Sequence, residues 1–329
     1  MKKIIVLILL SVFAVSLVSC VTAPGSDNSK INIVTTIFPQ YDWVRQIAGS
    51  SENIEITLLQ DNGVDLHSYQ PKASDIIKIS SCDMFIFVGG ESDGWVDDVL
   101  KTAKNDKMIK IDLLEILGDD AKEEEIKEGM EHEHEEDGDE DHDDPDHEHE
   151  AETDEHVWLS LKNAVRFCNA IKEGMVRIYP QNADKYESNC SSYVKKLEEL
   201  DEKYAKAASS AKTKTLLFGD RFPFRYMTED YGLDYFAAFT GCSAESEASF
   251  ETVRFLAKKI DDLGLRSIIK LEGSDGRIAE TIKTSTSSKD QEILTLNSLQ
   301  STTSVQIRDG VTYLGEMEKN LEVIKKALG

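Results

Sequence analysis

One apolar stripe on a long predicted helix constrains the fold of this chain more than any other feature. Its members recur at alternating steps of four and three residues: Tyr186, Cys190, Tyr193, Leu197, Leu200 and Tyr204. This spacing places them on one face of an α-helix, and Pro180 before them suits the first turn of a helix. We expect a helix of roughly 30 residues, about 45 Å long at 1.5 Å per residue, within residues 179–212. Because a helix of that length spans a small domain, we expect it to join two domains.

Strand and helix patterns alternate on both sides of this helix. The runs Ile31–Ile37, Met84–Val88 and Ser267–Leu271 are β-branched or apolar and are typical of buried strands. Amphipathic segments such as Ser74–Ser80 and Phe250–Leu263 lie between such runs and indicate helices. This alternation predicts an α/β fold with parallel sheets and crossover helices. The expected architecture is two Rossmann-like lobes, residues 30–178 and residues 213–329, joined by the long linking helix.

The N-terminus has the pattern of an export signal. Two lysines precede the apolar run Ile4–Val18, which has the length of a signal peptide and is short for a membrane span. The run ends in a serine followed by Cys20, which resembles the bacterial lipobox and implies lipid attachment to the Cys20 sulfur. The alternative is an ordinary signal peptide with an incidental cysteine. We expect a signal peptide at residues 1–20, a flexible tether at 21–29, and an extracytoplasmic protein anchored to the bacterial membrane.

An acidic segment interrupts the first lobe. Residues 115–155 hold 23 acidic residues and two lysines, a net charge of −21 out of −25, which leaves −4 on the rest of the chain. Residues 119–153 contain too few apolar side chains to build a core, so we predict a disordered loop there. Basic residues are not clustered anywhere in the sequence, and nucleic acid is therefore not an expected partner.

Five histidines are concentrated in this predicted loop: His132, His134, His142, His147 and His149. Imidazoles on a flexible chain bind zinc weakly and reversibly, and the surrounding carboxylates attract cations. The alternative is a soluble linker with no binding role. We favour an auxiliary metal-capturing loop because so many histidines lie in one short segment.

Two histidines outside the acidic run are the candidate ligands of a specific metal site. His67 follows a predicted strand and precedes a predicted helix, and open α/β sheets bind ligands at the carboxyl ends of their strands. His156 stands where apolar residues return after the acidic segment, and Val157–Leu159 anchor it to folded structure. Neutral imidazole is the commonest protein ligand of zinc and also binds neighbouring metals. The alternatives are a solvated loop histidine at His67 and the last member of the histidine-rich run at His156.

The order of these motifs resembles the substrate-binding proteins of zinc- and manganese-type ABC transporters, the ZnuA/TroA-like family. The early motif is His67–Pro71, and the later one is Asp154–Trp158, with Glu155 where the family has proline. A histidine- and acid-rich loop lies between them, and Tyr231–Leu233 follows the linking helix, as in the family. The resemblance covers about residues 30–328. It implies that zinc, or less favourably manganese, binds in the cleft between the lobes and is delivered to an ABC permease and its ATPase. We expect a monomer.

The same resemblance implies which residues hold the ion. His67 and His156 are the implied ligands from the N-terminal lobe. The C-terminal lobe of the family supplies a His or Glu after its first strand and a carboxylate further on, and here Gly219 and Asn297 stand at those places. An amide oxygen such as that of Asn297 is a poor zinc ligand. The candidate ligands from this lobe are Asp220 and Glu272, with Glu245 and Asn297 as alternates.

Other functions remain as alternatives. A zinc-dependent hydrolase is the enzymatic one, but the sequence has no His-Glu-x-x-His motif and no glycine-rich phosphate loop. We therefore predict that the chain is not an enzyme. A surface adhesin or a metal-buffering lipoprotein is the other alternative, and the sequence does not decide between it and a transport receptor.

Four cysteines follow the predicted lipidation site: Cys82, Cys168, Cys190 and Cys242. Their spacing matches no zinc-ribbon pattern. Two of them could pair in an exported protein, and the sequence does not determine which. Cys168 and Cys190 lie in helical patterns and are expected in the core.

Overall fold

The structure is a computed structural model, and it describes residues 30–130, 152–243 and 247–329. Several sequence-based predictions fall on residues outside these ranges: the signal peptide and tether, the lipidation site Cys20, the five loop histidines and the alternate ligand Glu245. Ile31–Gly329 form one compact unit. None of the helices in the described ranges is both long and apolar enough to cross a membrane.

The first lobe is built on a parallel four-stranded sheet in the order β2-β1-β3-β4. β3 has the sequence Met-Phe-Ile-Phe and is buried along its whole length, as expected for a strand covered by helices on both faces. The strands are β1 (Ile31–Thr35), β2 (Ile54–Leu58), β3 (Met84–Phe87) and β4 (Ile109–Asp112). The helices are α1 (Phe38–Ala48), α2 (Ala73–Ser81), α3 (Val96–Lys101), α4 (Leu113–Leu117) and α5 (Leu161–Ile178).

The linking helix α6 (Ala183–Ser210) has 28 residues and follows a 3-10 turn at Pro180–Asn182. Every member of the predicted apolar stripe is buried in it. Pro180 therefore begins the turn that precedes the helix. Its fixed φ and its missing backbone N–H both favour the first turn of a helix. The long linking helix that the sequence predicts is confirmed.

The second lobe repeats the architecture of the first, with the parallel order β6-β5-β7-β8. The strands are β5 (Thr215–Phe222), β6 (Asp234–Thr240), β7 (Ser267–Leu271) and β8 (Glu292–Leu296). The helices are α7 (Arg225–Asp230), α8 (Phe250–Leu263), α9 (Arg277–Ser285), α10 (Ser304–Arg308) and α11 (Tyr313–Leu328). The predicted α/β class with two parallel-sheet lobes is confirmed, although the sequence pattern did not predict β6.

The two lobes share one apolar core, which the linking helix joins. The core contains Ile33 of the first sheet, Tyr204 of α6 and Leu216 of the second sheet. Buried hydrogen bonds cross between the lobes as well: the Trp158 indole donates to the Ser298 carbonyl at 2.8 Å, and the Tyr313 hydroxyl donates to the Trp158 carbonyl at 2.7 Å. Such a shared core limits how far one lobe can move against the other.

Residues 121–130, here named the crossing segment, run from the first lobe onto the second. The sequence placed them in the disordered loop, yet they carry ordered contacts. Lys122 pairs with Glu229 at 2.7 Å, and Lys127 pairs with Asp234 at 2.5 Å. Met130 is buried in the apolar core, and Glu123 forms a backbone bridge with Thr153. The order of the segment therefore depends on partners distant in sequence, which composition alone cannot show.

Candidate metal centre

His67 is positioned by a short turn after β2. The turn Leu66–Ser68 is a 3-10 helix, and the Asp65 carboxylate caps it by accepting a hydrogen bond from the His67 backbone N–H at 3.1 Å. Leu66 is buried and fastens the turn to the lobe. The Nδ1 atom of His67 lies 2.8 Å from the Ser92 hydroxyl. The other ring nitrogen, Nε2, is therefore the one left to meet a ligand.

His156 is positioned by the Asp154 carboxylate and by the buried turn Val157–Leu159. One Asp154 oxygen accepts hydrogen bonds from the His156 backbone N–H at 2.8 Å and from its ring Nδ1 at 2.9 Å. The three residues of the turn and His156 itself are fully buried or nearly so. A carboxylate on Nδ1 fixes the tautomer that leaves a lone pair on Nε2, which is the usual outer support of a metal-binding histidine.

The two histidines face each other through these free nitrogens. Their Nε2 atoms are 3.2 Å apart. Two imidazoles on one tetrahedral zinc, with Zn–N bonds of about 2.0–2.1 Å, have their nitrogens about 3.3 Å apart. The observed separation therefore fits two ligands of a single ion.

The electrostatic surroundings keep at least one of the two rings neutral. Burial lowers the pKa of His67 to about 3, and the neighbouring His156 adds to the effect. Burial also opposes the charged form of His156, but the Asp154 carboxylate outweighs it and raises the pKa of that ring. Two lone pairs at this distance repel, so a proton or a cation between the rings is favourable.

Cys242 of the second lobe is the third potential ligand at this position. One atom from each of His67, His156 and Cys242 lies within 4.8 Å of the other two. Cys242 follows β6, and its backbone N–H donates to the Glu124 carboxylate of the crossing segment at 2.9 Å. The sequence treated this cysteine only as a possible disulfide partner. The one available signal was its place just after a strand, and the pattern did not predict that strand.

Arg221 is a second residue that the sequence did not single out. Its guanidinium donates to the Asp65 carboxylate at 2.8 Å, which joins β5 of the second lobe to the His67 turn of the first. Although burial opposes the charged form of Asp65, Arg221 and His67 together lower its pKa. A carboxylate oxygen of Asp65 also lies 4.0 Å from His67 Nε2. The ion pair therefore holds the two lobes together beside the histidines.

Comparison with known proteins assigns the family. The family model "Zinc-uptake complex component A periplasmic", ZnuA, matches residues 33–327. The chain belongs to the ZnuA family.

Curated ZnuA-family relatives and solved structures match nearly the whole chain. The zinc-binding lipoprotein AdcA of Streptococcus pneumoniae (strain ATCC BAA-255 / R6) is 32% identical over 335 residues, which cover 99% of this chain and 61% of AdcA. The high-affinity zinc uptake system protein ZnuA of Bacillus subtilis is 28% identical over 303 residues, 92% of this chain and 89% of that protein. The Zn(II)-bound ZnuA-like domain of S. pneumoniae AdcA superimposes with a TM-score of 0.69 at 28% identity, over 91% of this chain and 99% of the domain. The chain thus spans about three-fifths of AdcA.

The ligands predicted for the second lobe of this ZnuA-family chain lie in the cleft but are bound to backbone and hydroxyl groups. Asp220 and Glu272 line a cleft cavity of about 430 Å³. Asp220 accepts from the Leu271 backbone N–H at 3.1 Å, and Glu272 accepts from the Ser298 backbone and hydroxyl at 2.7 and 2.6 Å. Within the described ranges, neither belongs to the group around the two histidines. Their role as ligands stays a prediction.

The two positions that departed from the family pattern face away from the histidines. A Cβ atom on Gly219 would lie 2.7 Å from the Ala279 Cα, so this position faces helix α9. The Asn297 side chain donates to Glu316 of α11 at 3.0 Å and accepts from the Leu299 backbone N–H. Sequence position alone could not show which way either residue points.

Glu155, which replaces the family's proline, is buried behind His67. One of its oxygens accepts from the Ser92 backbone N–H at 2.8 Å. The other lies 3.6 Å from His67 Nδ1 and accepts no hydrogen bond from any residue in the described ranges. Burial raises the pKa of this carboxyl, and the Ser92 hydrogen bonds oppose the shift. A cation on His67 would stabilise the ionised form.

Residues Gly90–Gly94 have the Gly-x-Ser-x-Gly pattern of a hydrolase nucleophile elbow, with Ser92 in the place of the nucleophile. Such an elbow is a strained turn. The non-glycine residues of the described ranges that have a positive φ are Lys289 and Leu299. The Ser92 backbone therefore does not have the left-handed conformation that would strain it. The Ser92 hydroxyl instead contacts His67 Nδ1, where it orients the ring.

Proposed function

We propose that this chain is an extracytoplasmic receptor that binds zinc between its lobes and delivers it to an ABC permease and its ATPase. The observation that carries the proposal is the facing pair of His67 and His156 Nε2 atoms, 3.2 Å apart, with both Nδ1 atoms already engaged. Relatives that carry the names zinc-binding lipoprotein and zinc uptake system protein support zinc as the ion. Manganese is the second candidate, and imidazole ligands favour zinc over it.

The arrangement of the two lobes accounts for how the ion is captured and how the permease recognises the ion-bound form. His67 and His156 belong to the first lobe and are set by its turns, so half of the site exists before the ion arrives. The second lobe approaches the same point through Arg221 and Cys242. Because the lobes share a core, closure on the ion is expected to be small. The permease would then recognise the outer faces of the two lobes in the ion-bound form.

The N-terminal cysteine and the histidine-rich loop have roles outside the candidate metal site. We propose that lipid on Cys20 anchors a monomer to the cell membrane, and that the loop with five histidines raises the local supply of zinc near the cleft. The segment that carries this loop runs beside the candidate site, where Glu124 accepts from the Cys242 backbone. We propose a binding role without catalytic activity, because the two ring nitrogens that face each other 3.2 Å apart in the cleft fit two ligands of one ion.

Zinc titration of the chain from residue 21 tests the site. One tight zinc per chain is expected, and it should be lost in both His67→Ala and His156→Ala. His142→Ala, in the acidic loop, is the control and should keep the tight site. Manganese should compete only weakly. Tight zinc binding that survives both substitutions would refute the proposed site.

A further inference from the structure

We infer that the Cys242 thiolate is the second lobe's ligand to the metal, which gives a His-His-Cys site selective for zinc and other thiophilic ions over manganese. This inference rests on the proposed function, because it adds a ligand to the same ion. It differs from the sequence-based prediction, which placed carboxylates of the second lobe in that role.

The position of the thiol fits coordination. The sulfur and one ring nitrogen from each histidine lie within 4.8 Å of one another. In a tetrahedral zinc site with Zn–S of about 2.3 Å and Zn–N of about 2.0–2.1 Å, sulfur and nitrogen are about 3.6 Å apart. A movement of about 1 Å by the loop after β6 therefore suffices to close the site.

The chain is built locally to bring Cys242 to the histidines. Gly241, the residue before it, packs on the His156 ring, and a Cβ atom there would lie 2.9 Å from the ring's Cε1. Only glycine allows the loop this close. On the other side, the Glu124 carboxylate holds the Cys242 backbone N–H. Cys242 is partly exposed, so an ion in the cleft can reach it.

The carboxylates that could compete already have partners. Glu272 accepts hydrogen bonds from Ser298, and Asp220 accepts one from the Leu271 backbone. Asp65 is paired with Arg221. Moving any of them to the ion breaks an existing bond. The Cys242 thiol also has a hydrogen bond, to the Glu124 carboxylate of the crossing segment, but its S–H proton makes that bond and leaves when the sulfur binds a metal.

The chemistry of the ligand set decides the class of ion. Two neutral imidazoles and one thiolate suit zinc, and thiolate also favours ions such as cobalt(II) and cadmium(II) in a tetrahedral site. Manganese(II) prefers carboxylate, carbonyl and water oxygens. On binding, the S–H bond breaks, a metal–sulfur bond forms and the proton passes to water. The fourth position is left to water or a carboxylate.

Cobalt(II) absorption is the measurement that isolates the thiol. One equivalent of cobalt is added to the chain from residue 21 under reducing conditions. A sulfur-to-cobalt charge-transfer band is expected for the wild type and should be absent in Cys242→Ser. Cys190→Ser is the control and should keep the band, because Cys190 does not belong to the group around the two histidines. The variant should also fold, since a serine hydroxyl can replace the Cys190 thiol in its contact with the Cys168 carbonyl.

Metal affinity gives a second readout. If the binding free energy of a four-ligand zinc site is divided evenly among its ligands, the loss of one ligand lowers the affinity on the order of 100-fold. We therefore expect Cys242→Ser to weaken zinc binding on the order of 100-fold. Cys242→Asp should shift the preference toward manganese. The His67→Ala variant, measured in parallel, should lose both zinc binding and the band.

The outcomes separate this inference from the proposed function. If cobalt and zinc bind tightly, depend on His67, and give no charge-transfer band, the thiol is not a ligand and the receptor proposal still stands. If binding does not depend on His67, the site itself is wrong and both proposals fail. Because the wild-type spectrum alone can refute the inference, poor folding of a variant does not leave it untested.

Discussion

Gly241 offers a direct test of the geometry at the candidate metal centre, since it touches the ring of a proposed ligand. A Cβ atom added at this position would lie 2.9 Å from Cε1 and 3.1 Å from Nδ1 of His156. The carbonyl oxygen of Phe222 would lie 3.0 Å from the same Cβ, so the new methyl group has no free direction in which to retreat. We predict that Gly241→Ala displaces the His156 ring and weakens zinc binding.

The magnitude follows from the contact distances. Relief of a 2.9 Å contact to an ordinary carbon–carbon distance requires a ring shift of roughly 0.5 Å or more, whereas metal–ligand distances tolerate about 0.2 Å. Loss of an outer support of a metal ligand typically weakens binding by about 10- to 100-fold, and we expect a loss in that range. Overpacking should also lower the free energy of unfolding by about 1–3 kcal/mol.

Gly219→Ala is the matched control for this substitution. Its added methyl group would meet Ala279 of α9, with the Cβ 2.7 Å from the Ala279 Cα, away from the histidines. Neither glycine has positive φ, so backbone strain does not distinguish the two variants. The control should lose a similar amount of stability, about 1–3 kcal/mol, and keep its zinc affinity when folded.

Two measurements separate the effects: denaturant unfolding in the presence of a chelator and zinc competition against a chromophoric chelator. The reasoning is refuted if Gly241→Ala binds zinc as tightly as the wild type while losing stability. It is equally refuted if Gly219→Ala loses zinc affinity to the same extent, because the effect would then reflect general instability of the fold.

Glu155, Asp93 and the acidic loop each allow a further test. Glu155→Gln should weaken zinc binding by about 10- to 100-fold, because its carboxylate supports His67 from behind; zinc competition measures this. Asp93→Asn should flatten the pH dependence of stability, since burial raises the pKa of Asp93 to about 7. The folded state then holds the proton more tightly than the unfolded state, so the contribution of Asp93 to wild-type stability is fully present below about pH 4 and is lost as pH rises to about 7, by at most about 1.4 kcal/mol per pH unit; denaturant unfolding near pH 5 and near pH 7 compares the slopes. Deletion of residues 131–150 should leave one tight zinc site and remove weaker ones, as calorimetric titration would show.

Each of these tests has a control and a contrary result. Glu91→Gln changes an exposed carboxylate and should bind zinc normally; an equal effect in both variants would remove the role given to Glu155. An unchanged pH slope in Asp93→Asn would mean that Asp93 titrates alike in the folded and unfolded chain. Loss of the tight site with the loop would place that site in the loop rather than in the cleft.

The architecture could be predicted from the amino-acid sequence, since it depends on patterns that local chemistry enforces. The alternation of strands and helices and the stripe on α6 required two sheets and one long buried helix. His67 and His156 were marked by the carboxyl end of a strand and by the return of apolar residues. Boundaries were less well determined: the run Ile31–Ile37 was expected as a strand, but β1 ends at Thr35, and α1 begins at Phe38 because proline is tolerated in a first helical turn.

The residues that the second lobe brings to the site could not be predicted without the folded structure. Residues far apart in sequence meet there: Asp65 with Arg221, and Cys242 with two histidines. Their meeting depends on how two lobes pack against one helix, and no local pattern records that packing. The same holds for the crossing segment, whose ion pairs, backbone bridge and buried Met130 all involve residues distant in sequence. Local periodicity fixes which face of an element is buried, but the side chains that converge in a cleft are set by long-range contacts.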